Sequence, residues 1–373
     1  MRMTLAIDMI GTKFGSGTRT YNLNFCKNIN KIKIKERIFI FITNDYLNSL
    51  PLNKNENINY IIKSNILANI FFRILWMQLI LPFELKRLKT THLYSPMNMA
   101  PIFLRFFKIK LTLCIHSNLP WVYFSTMPGN KMRNILTKYL MQFSIYASDI
   151  LIVDSEFAKT EIIKLLNIKE KKVFVVYLGI DDKYLNLANN DYFIDDFIYE
   201  NYIISVASCV KYHNILNLLK AFRQLKEKHN LNLKFVLVLQ ILDKDYFQEI
   251  KNYISENFKK NQIVLFHNLD NNYLVNLYQK AKFYVFSSYC EVFGLTSLEA
   301  MSQGCPILIS NKSALPEINH DAAEYFDPDD INQILSGMDK ILFNQDLRIN
   351  LIKKGNEHFK KFNWVKTVNE TIK

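Results

Sequence analysis

The segment from Ser287 to Pro306, SSYCEVFGLTSLEAMSQGCP, gathers residue types suited to holding a sugar and a phosphate. Glu291 lies in a loop behind an apolar strand, Gly294 follows it, and Glu299 stands eight residues after Glu291 on the next helix. Gly294 lets the backbone approach a ligand, and the unpaired N–H groups that open a helix can hold a phosphate. Two carboxylates beside such a site can accept hydrogen bonds from sugar hydroxyls. The same letters carry a second reading. Thr296 to Glu299 spell T-x-x-E, a capping box in which Glu299 only satisfies the first amide of its helix and Glu291 is an ordinary loop acid. His116 closes the apolar run LTLCIH at the strand edge where active-site groups of parallel sheets gather, and is either a site residue or a structurally satisfied histidine.

Elements that could position these groups alternate along the whole chain. In the first half the spacing predicts strands at Met3 to Asp8, Ile38 to Thr43, Thr91 to Tyr94, Lys110 to His116, Asp149 to Val153 and Val173 to Tyr177. Helices are predicted at Thr18 to Ile29, Ile66 to Leu88 and Asn130 to Ala147, with Ser155 as the N-cap of another through Leu166. Residues 184–200 are acidic and aperiodic and read as a linker. Alternation restarts at Tyr202 and runs strand-helix to Pro306–Ile309. The expected fold class is α/β, with two Rossmann-like, doubly wound domains. Residues 1–183 form the first, 201–358 the second, and 359–373 are expected to form a helix packing back on the first. Two such domains joined by a linker make a cleft at their strand ends.

Composition fits this reading. Of 373 residues, 49% are hydrophobic and 22% charged, which argues for folded domains rather than disorder. Cys26, Cys114, Cys209, Cys290 and Cys305 lack the spacing of a disulfide framework or a zinc site, so a reducing cytoplasm is expected. The opening MRMTLAIDMIG is too short and polar for a signal peptide. Ile66 to Phe83 is the most membrane-like stretch, but Arg73, Gln78 and Pro82 interrupt it, so an amphipathic or buried helix is expected. Residues 1–180 hold 25 Lys and Arg against 10 Asp and Glu, a net of +15 within a total of +13. A basic first half suits nucleic acid, anionic lipid headgroups or phosphorylated acceptors, or is simply a solvated lysine surface. No nucleic-acid-binding module accompanies the charge, so no nucleic-acid partner is expected.

The stretch from Phe283 to Asp330, including SNKSALPEINHDAAEYFDPDD, resembles the signature region of the family 4 retaining glycosyltransferases of GT-B fold. That family's E-G-F-G-L-P-x-x-E-A-M-A-x-G-x-P-V-I is followed by S-N-x-S-x-L-P-E and D-A-A-x-x-x-D-P. RILWMQLILP, SPMNMAP, VDSEFAKTEII, LGID, LLKAFRQL and FNWVKT fall in the family's order, so the resemblance spans nearly the whole chain. It implies two domains facing across a cleft and transfer of a hexose-type sugar from a nucleotide-diphosphate donor, with retention, to a glycan or polyprenyl-diphosphate-linked acceptor. Among relatives the common role is bacterial surface polysaccharide assembly.

Carried over residue by residue, the resemblance sets Glu291 against the donor sugar and Glu299 against the ribose. Phe293, Gly294, Leu295 and Thr296 line the sugar and diphosphate through backbone amides, with Thr296 where Pro is common. His116 matches the histidine of T-x-H-D that contacts the donor sugar, although Ser117 replaces the frequent Asp. Gly15, Ser16 and Gly17 match the glycine-rich loop after the first strand, facing donor phosphates or acceptor unless they form a plain turn. The family's G-R-x-x-x-x-K is VASCVKYHNI here, so Ser208 and His213 fill the cationic positions, and Lys211, with His213, is expected to hold the phosphates. No Asp-x-Asp motif stands at a strand end, and DPDD at Asp327 to Asp330 reads as a solvated turn, so no metal and no cofactor besides a UDP- or GDP-sugar substrate is expected. The leaving phosphate then helps deprotonate the acceptor. Peripheral contact with an anionic inner membrane face is expected of the basic first domain. Ser117, Ser208 and Val292, in place of common Asp, Arg and Gly, leave a catalytically weak sugar-nucleotide or partner binder as the alternative.

Overall fold

β-branched and aromatic runs separated by amphipathic helices build two wholly parallel sheets in the computed structural model, which describes residues 4–11, 17–47, 49–50, 55–185, 201–267, 269 and 271–372. The chain divides into two units. One comprises Met1–Trp121, Lys131–Gly179 and Asn363–Lys373; the other comprises Val122–Asn130 and Ile180–Phe362. Residues 180–183 therefore go with the second unit, and of the expected linker only Tyr184 and Leu185 are described.

The first unit's strands are β1 (Thr4–Asp8), β2 (Arg37–Thr43), β3 (Ile58–Lys63), β4 (His92–Ser95), β5 (Lys110–Ile115), β6 (Ile150–Val153) and β7 (Val173–Val175). They pair in the order β3-β2-β1-β4-β5-β6-β7, with Ala6 and Ile7 of central β1 fully buried. Strand β3 was not expected from the sequence. It is a sheet edge whose run INYIIK sits among Asn and Lys, and only Ile58 on it is buried. Its helices are α1 (Gly17–Ile29), α2 (Ile70–Leu75), α3 (Leu81–Arg87), α4 (Lys131–Ala147) and α5 (Glu156–Leu166), and Ser155 caps α5 through Ala158 N–H as expected.

The helix expected over Ile66 to Leu88 is broken in two. A π turn, Trp76–Ile80, joins α2 to α3, with the Leu81 N–H reaching back to the Trp76 carbonyl. Pro82 has no N–H to give the Gln78 carbonyl, which favours the looser winding there. Arg73, Trp76, Met77, Leu81 and Leu85 form the buried side.

The second unit's strands are β8 (Tyr202–Cys209), β9 (Lys234–Ile241), β10 (Ile263–His267), β11 (Tyr284–Phe286), β12 (Ile307–Ser310) and β13 (Glu324–Phe326), paired in the order β10-β9-β8-β11-β12-β13. Around them lie α6 (Ile215–His229), α7 (Lys244–Asn257), α8 (Asn271–Lys280), α9 (Leu295–Ser302), α10 (Ile331–Phe343) and α11 (Gln345–His358). Phe222, Phe235, Phe283, Phe326 and Met338 belong to the core between sheet and helices. The acids of DPDD have structural duties: Asp327 pairs with Lys312 at 2.9 Å, and Asp330 caps α10 by accepting from the Asn332 and Gln333 amides.

The last described helix, α12 (Trp364–Ile372), belongs to the first unit and packs on α1. A Cβ at Gly179 would lie 2.2 Å from the Trp364 amide nitrogen, so only glycine lets the two segments touch. Gly179→Ala is therefore expected to destabilise the protein by about 1–3 kcal/mol, read as an earlier midpoint in denaturant unfolding; an unchanged midpoint would contradict the close approach.

Candidate active site

Each unit carries one cluster of candidate groups at the carboxyl edge of its sheet. In the first unit β5 and β6 are neighbours with Ile115 opposite Val153, so the next residue on each strand, His116 and Asp154, emerge side by side. The Asp154 carboxylate, 1% exposed, accepts from His116 Nδ1 at 2.9 Å. The His116 backbone N–H donates to Asn98 Oδ1 at 2.6 Å, and the ring packs 4.4 Å from that of Tyr21 on α1. Tyr21 is itself fixed by a 2.6 Å hydroxyl pairing with Tyr94 on β4.

His116 is thus satisfied on one side only. Its Nε2 is buried and has no hydrogen-bond partner, a state that costs free energy unless a ligand completes it. Burial acts to lower the imidazole pKa, but the Asp154 charge, aided by Cys114, more than offsets it and holds His116 well above the usual histidine range. Cys114 Sγ, His116 and Asp154 also form the one cluster of potential metal ligands among the described residues, their donor atoms within 4.8 Å of one another. Burial pushes the Cys114 thiol up, which disfavours the thiolate a metal needs, and Asp154 is committed to the imidazole. The group reads as an ion pair holding a ring. Of the glycine loop, Gly17 opens α1 and is exposed, while Gly15 and Ser16 lie outside the described residues.

In the second unit, β11 leads into the loop of Glu291 and Gly294, and α9 follows. Gly294 has φ of 91°, and a Cβ there would come within 2.7 Å of Leu315, so the position requires glycine for both conformation and space. Gly294 is the N-cap and supplies no side chain. The capping box spelled by Thr296 and Glu299 does not form. Thr296 lies inside the helix with its hydroxyl 2.8 Å from that of Tyr284, and Ser297 rather than Thr296 returns a bond to the Gly294 carbonyl. The opening of α9 is left without a side-chain cap, which suits an anion.

Glu291 is held from both sides. Its amide donates to Ser313 Oγ at 3.0 Å, its carbonyl accepts from Ala314, and its carboxylate lies 3.2 Å from His213 Nε2. His213 Nδ1 lies 2.7 Å from the Ser208 carbonyl. Both ring nitrogens face oxygen acceptors, so His213 orients Glu291 rather than presenting an open cation. Lys211 itself is exposed on the turn after β8 and makes no ion pair among the described residues. Phe293 turns inward, its ring 5.7 Å from Phe362. Glu299 is partly covered and hydrogen-bonded to Tyr184. Burial pushes its carboxyl up to about 7, against the pull of nearby Lys183.

Asp154, Tyr21, Ser313 and Tyr184 were not singled out from the sequence. Asp154 was the most findable of them, because adjacent parallel strands bring the residues after them together; the others are contacts between segments far apart in the chain.

Two stability measurements follow. Because native His116 binds its proton more tightly than the unfolded chain, its pair with Asp154 is fully stabilising below about pH 6.5 and is lost as pH rises through the raised native value. Asp154→Asn is expected to melt below wild type in acid, with the gap closing in alkali; a gap independent of pH would refute the pairing. Glu299 acts in the same direction, unlike a carboxylate with a lowered pKa: the native state keeps a proton that the unfolded chain releases from about 4.5, so stability falls as pH rises from about 4.5 to about 7. Glu299→Gln is expected to flatten that slope and to gain on the order of 2 kcal/mol over wild type above it, as read by melts across the range.

Comparison with known proteins agrees with this architecture. Residues 16–184 match Glycosyltransferase Family 4, and residues 197–358 match Glycosyl transferases group 1. The O-antigen chain mannosyltransferase RfbU of Salmonella typhimurium is 25% identical over 219 residues, 59% of this chain and 57% of that protein. O-antigen chain mannosyltransferase B of Escherichia coli is 24% identical over 234 residues, covering 61% of each. The matched stretches thus span about three-fifths of these relatives. Among solved structures, Anabaena Alr3699/HepE in complex with UDP and glucose superposes with a TM-score of 0.72 at 14% identity, covering 100% of this chain and 98% of that one. With both of its units matched in order, and with the GT-B pattern of two parallel, Rossmann-like sheets, the chain belongs to family 4 of the glycosyltransferases.

Proposed function

We propose that the chain is a retaining hexosyltransferase, with mannose as the sugar moved, acting from a nucleotide-diphosphate donor onto a glycan or polyprenyl-diphosphate-linked acceptor in bacterial O-antigen assembly. The observation that carries this reading is the uncapped start of α9 behind Gly294, with Glu291 fixed before it and Glu299 on it, inside the region matched to the group 1 glycosyl transferases. The choice of mannose rests on the O-antigen mannosyltransferases among the relatives.

In this reading Glu291 accepts from donor-sugar hydroxyls and Glu299 from the ribose. The α9 amides and the Lys211 ammonium take the charge that develops on the leaving diphosphate. His116, through its unpartnered Nε2–H, donates to the sugar. The bond from the anomeric carbon to the diphosphate breaks, the acceptor oxygen bonds to that carbon on the same face, and the acceptor's proton passes to the leaving phosphate. A helix terminus and a lysine supply the charge that a divalent ion supplies elsewhere, so we propose a metal-independent reaction. We further propose that it takes place at the inner face of the cytoplasmic membrane; no described helix is long and apolar enough to cross one. A binding-only relative is not favoured, because the family match runs through both units.

A thermal-shift and hydrolysis panel of UDP-, GDP-, ADP- and dTDP-sugars without metal tests the proposal. One donor is expected to stabilise the protein and to turn over, with Glu291→Ala reducing transfer by about 10²-fold or more. Its affinity is expected to rise as pH passes about 7, where Glu299 ionises, and Glu299→Gln should lose that rise. Turnover unaffected in Glu291→Ala would sink the assignment.

A further inference from the structure

The first unit exposes a concentrated apolar face. Phe71, Leu75, Leu79 and Phe83, along the run α2, π turn and α3, are 40–63% exposed. Side chains four apart drift by about 40° per step on an α-helix. The wider π turn offsets that drift, so the four stay on one side. Phe83 packs edge-on against Phe107 at 5.1 Å, in the turn Leu104–Phe107 that leaves Phe106 83% exposed. Gln78 bonds the Ala100 carbonyl and the Ile102 amide, and Ser144 of α4 bonds both polar groups of Ala100. The three elements are therefore tied to one loop, and α4 adds exposed Tyr139 and Phe143.

The charges about this face are mainly basic, the Asp149 carboxylate lying 3.8 Å from Arg105. Between Glu56 and Asp149 the only acidic residue is Glu84, which is spent on Lys63 at 2.6 Å. Lys86, Arg87, Lys89, Arg105 and Lys108 are exposed within the same elements or beside them. Exposed apolar patches of this kind mark interaction sites. Aromatic side chains with a lysine and arginine border match the boundary between acyl chains and anionic headgroups. A second copy of the chain would bring like charges together.

We infer that this face, formed by the α2–α3 run, the Leu104–Phe107 turn and α4, docks the enzyme on a bilayer containing anionic lipid. The inference rests on the membrane-side reading proposed above and names the surface that serves it. Phe83 and Phe106 enter the acyl boundary, and the basic residues meet lipid phosphates.

The test is flotation of the full chain with phosphatidylcholine vesicles, with and without phosphatidylglycerol, alongside hydrolysis of a soluble donor. Wild type is expected to float with the anionic vesicles. Phe83→Asp with Phe106→Asp should lower that binding at least about tenfold, and Arg87→Glu with Lys108→Glu should remove the phosphatidylglycerol preference, with melting and donor hydrolysis unchanged. Flotation of both variants like wild type would overturn the assignment of this face. Wild type that hydrolyses donor but does not float would overturn docking and leave the function standing; wild type that floats but accepts no donor would do the reverse. Light scattering showing a dimer that the apolar substitutions dissociate would assign the face to a second copy instead.

Discussion

In each unit one constraint organises everything else: the strands run parallel, so every strand ends on the same edge. Parallel neighbours are joined by crossovers, and the loops that leave their carboxyl ends collect on one rim. His116 and Asp154 meet because β5 and β6 pair Ile115 with Val153, and no loop needs to fold back to bring them together. The Glu291 loop leaves β11 in the same way, beside the turn after β8 that carries His213. The chemistry borrows its geometry from backbone hydrogen bonds.

The two clusters spend that geometry differently. His116 sits in buried surroundings with a committed acid on one nitrogen and no hydrogen-bond partner on the other, so the ring is held on one side and unsatisfied on the other. The α9 opening uses partial charges instead: a glycine replaces the usual capping side chain, and the helix keeps its positive end for an anion. Glu299, one turn further, has its carboxyl pushed up to about 7 by burial, so its charge changes near neutral pH.

Much of this was legible in the sequence, because the signals were local. Strand runs such as LTLCIH and the break at Gly294 report their own conformations, and the ordered family motifs reported both domains. Strand β3 escaped because a half-covered edge carries weak alternation, and the π turn escaped because Pro82 reads as a break rather than as a change of winding. The capping-box reading of Thr296 and Glu299 was reasonable as text, and it failed because Gly294 already starts the helix two residues earlier. The contacts of His213 with the Ser208 carbonyl and Glu291 were likewise not legible in the text. Long-range contacts of this sort leave no trace in spacing.

The return of α12 to the first unit bears on the order in which the protein is made. Trp364 packs edge-on to Tyr21 at 5.2 Å, and Tyr21 lies against His116, so a residue translated after the whole second unit completes an aromatic cluster that includes Tyr21 of α1. Domains usually mature in the order in which they leave the ribosome. Here the first unit emerges early yet stays unfinished until residues beyond 363 arrive, so the histidine gains its complete surroundings only when synthesis has passed both sheets.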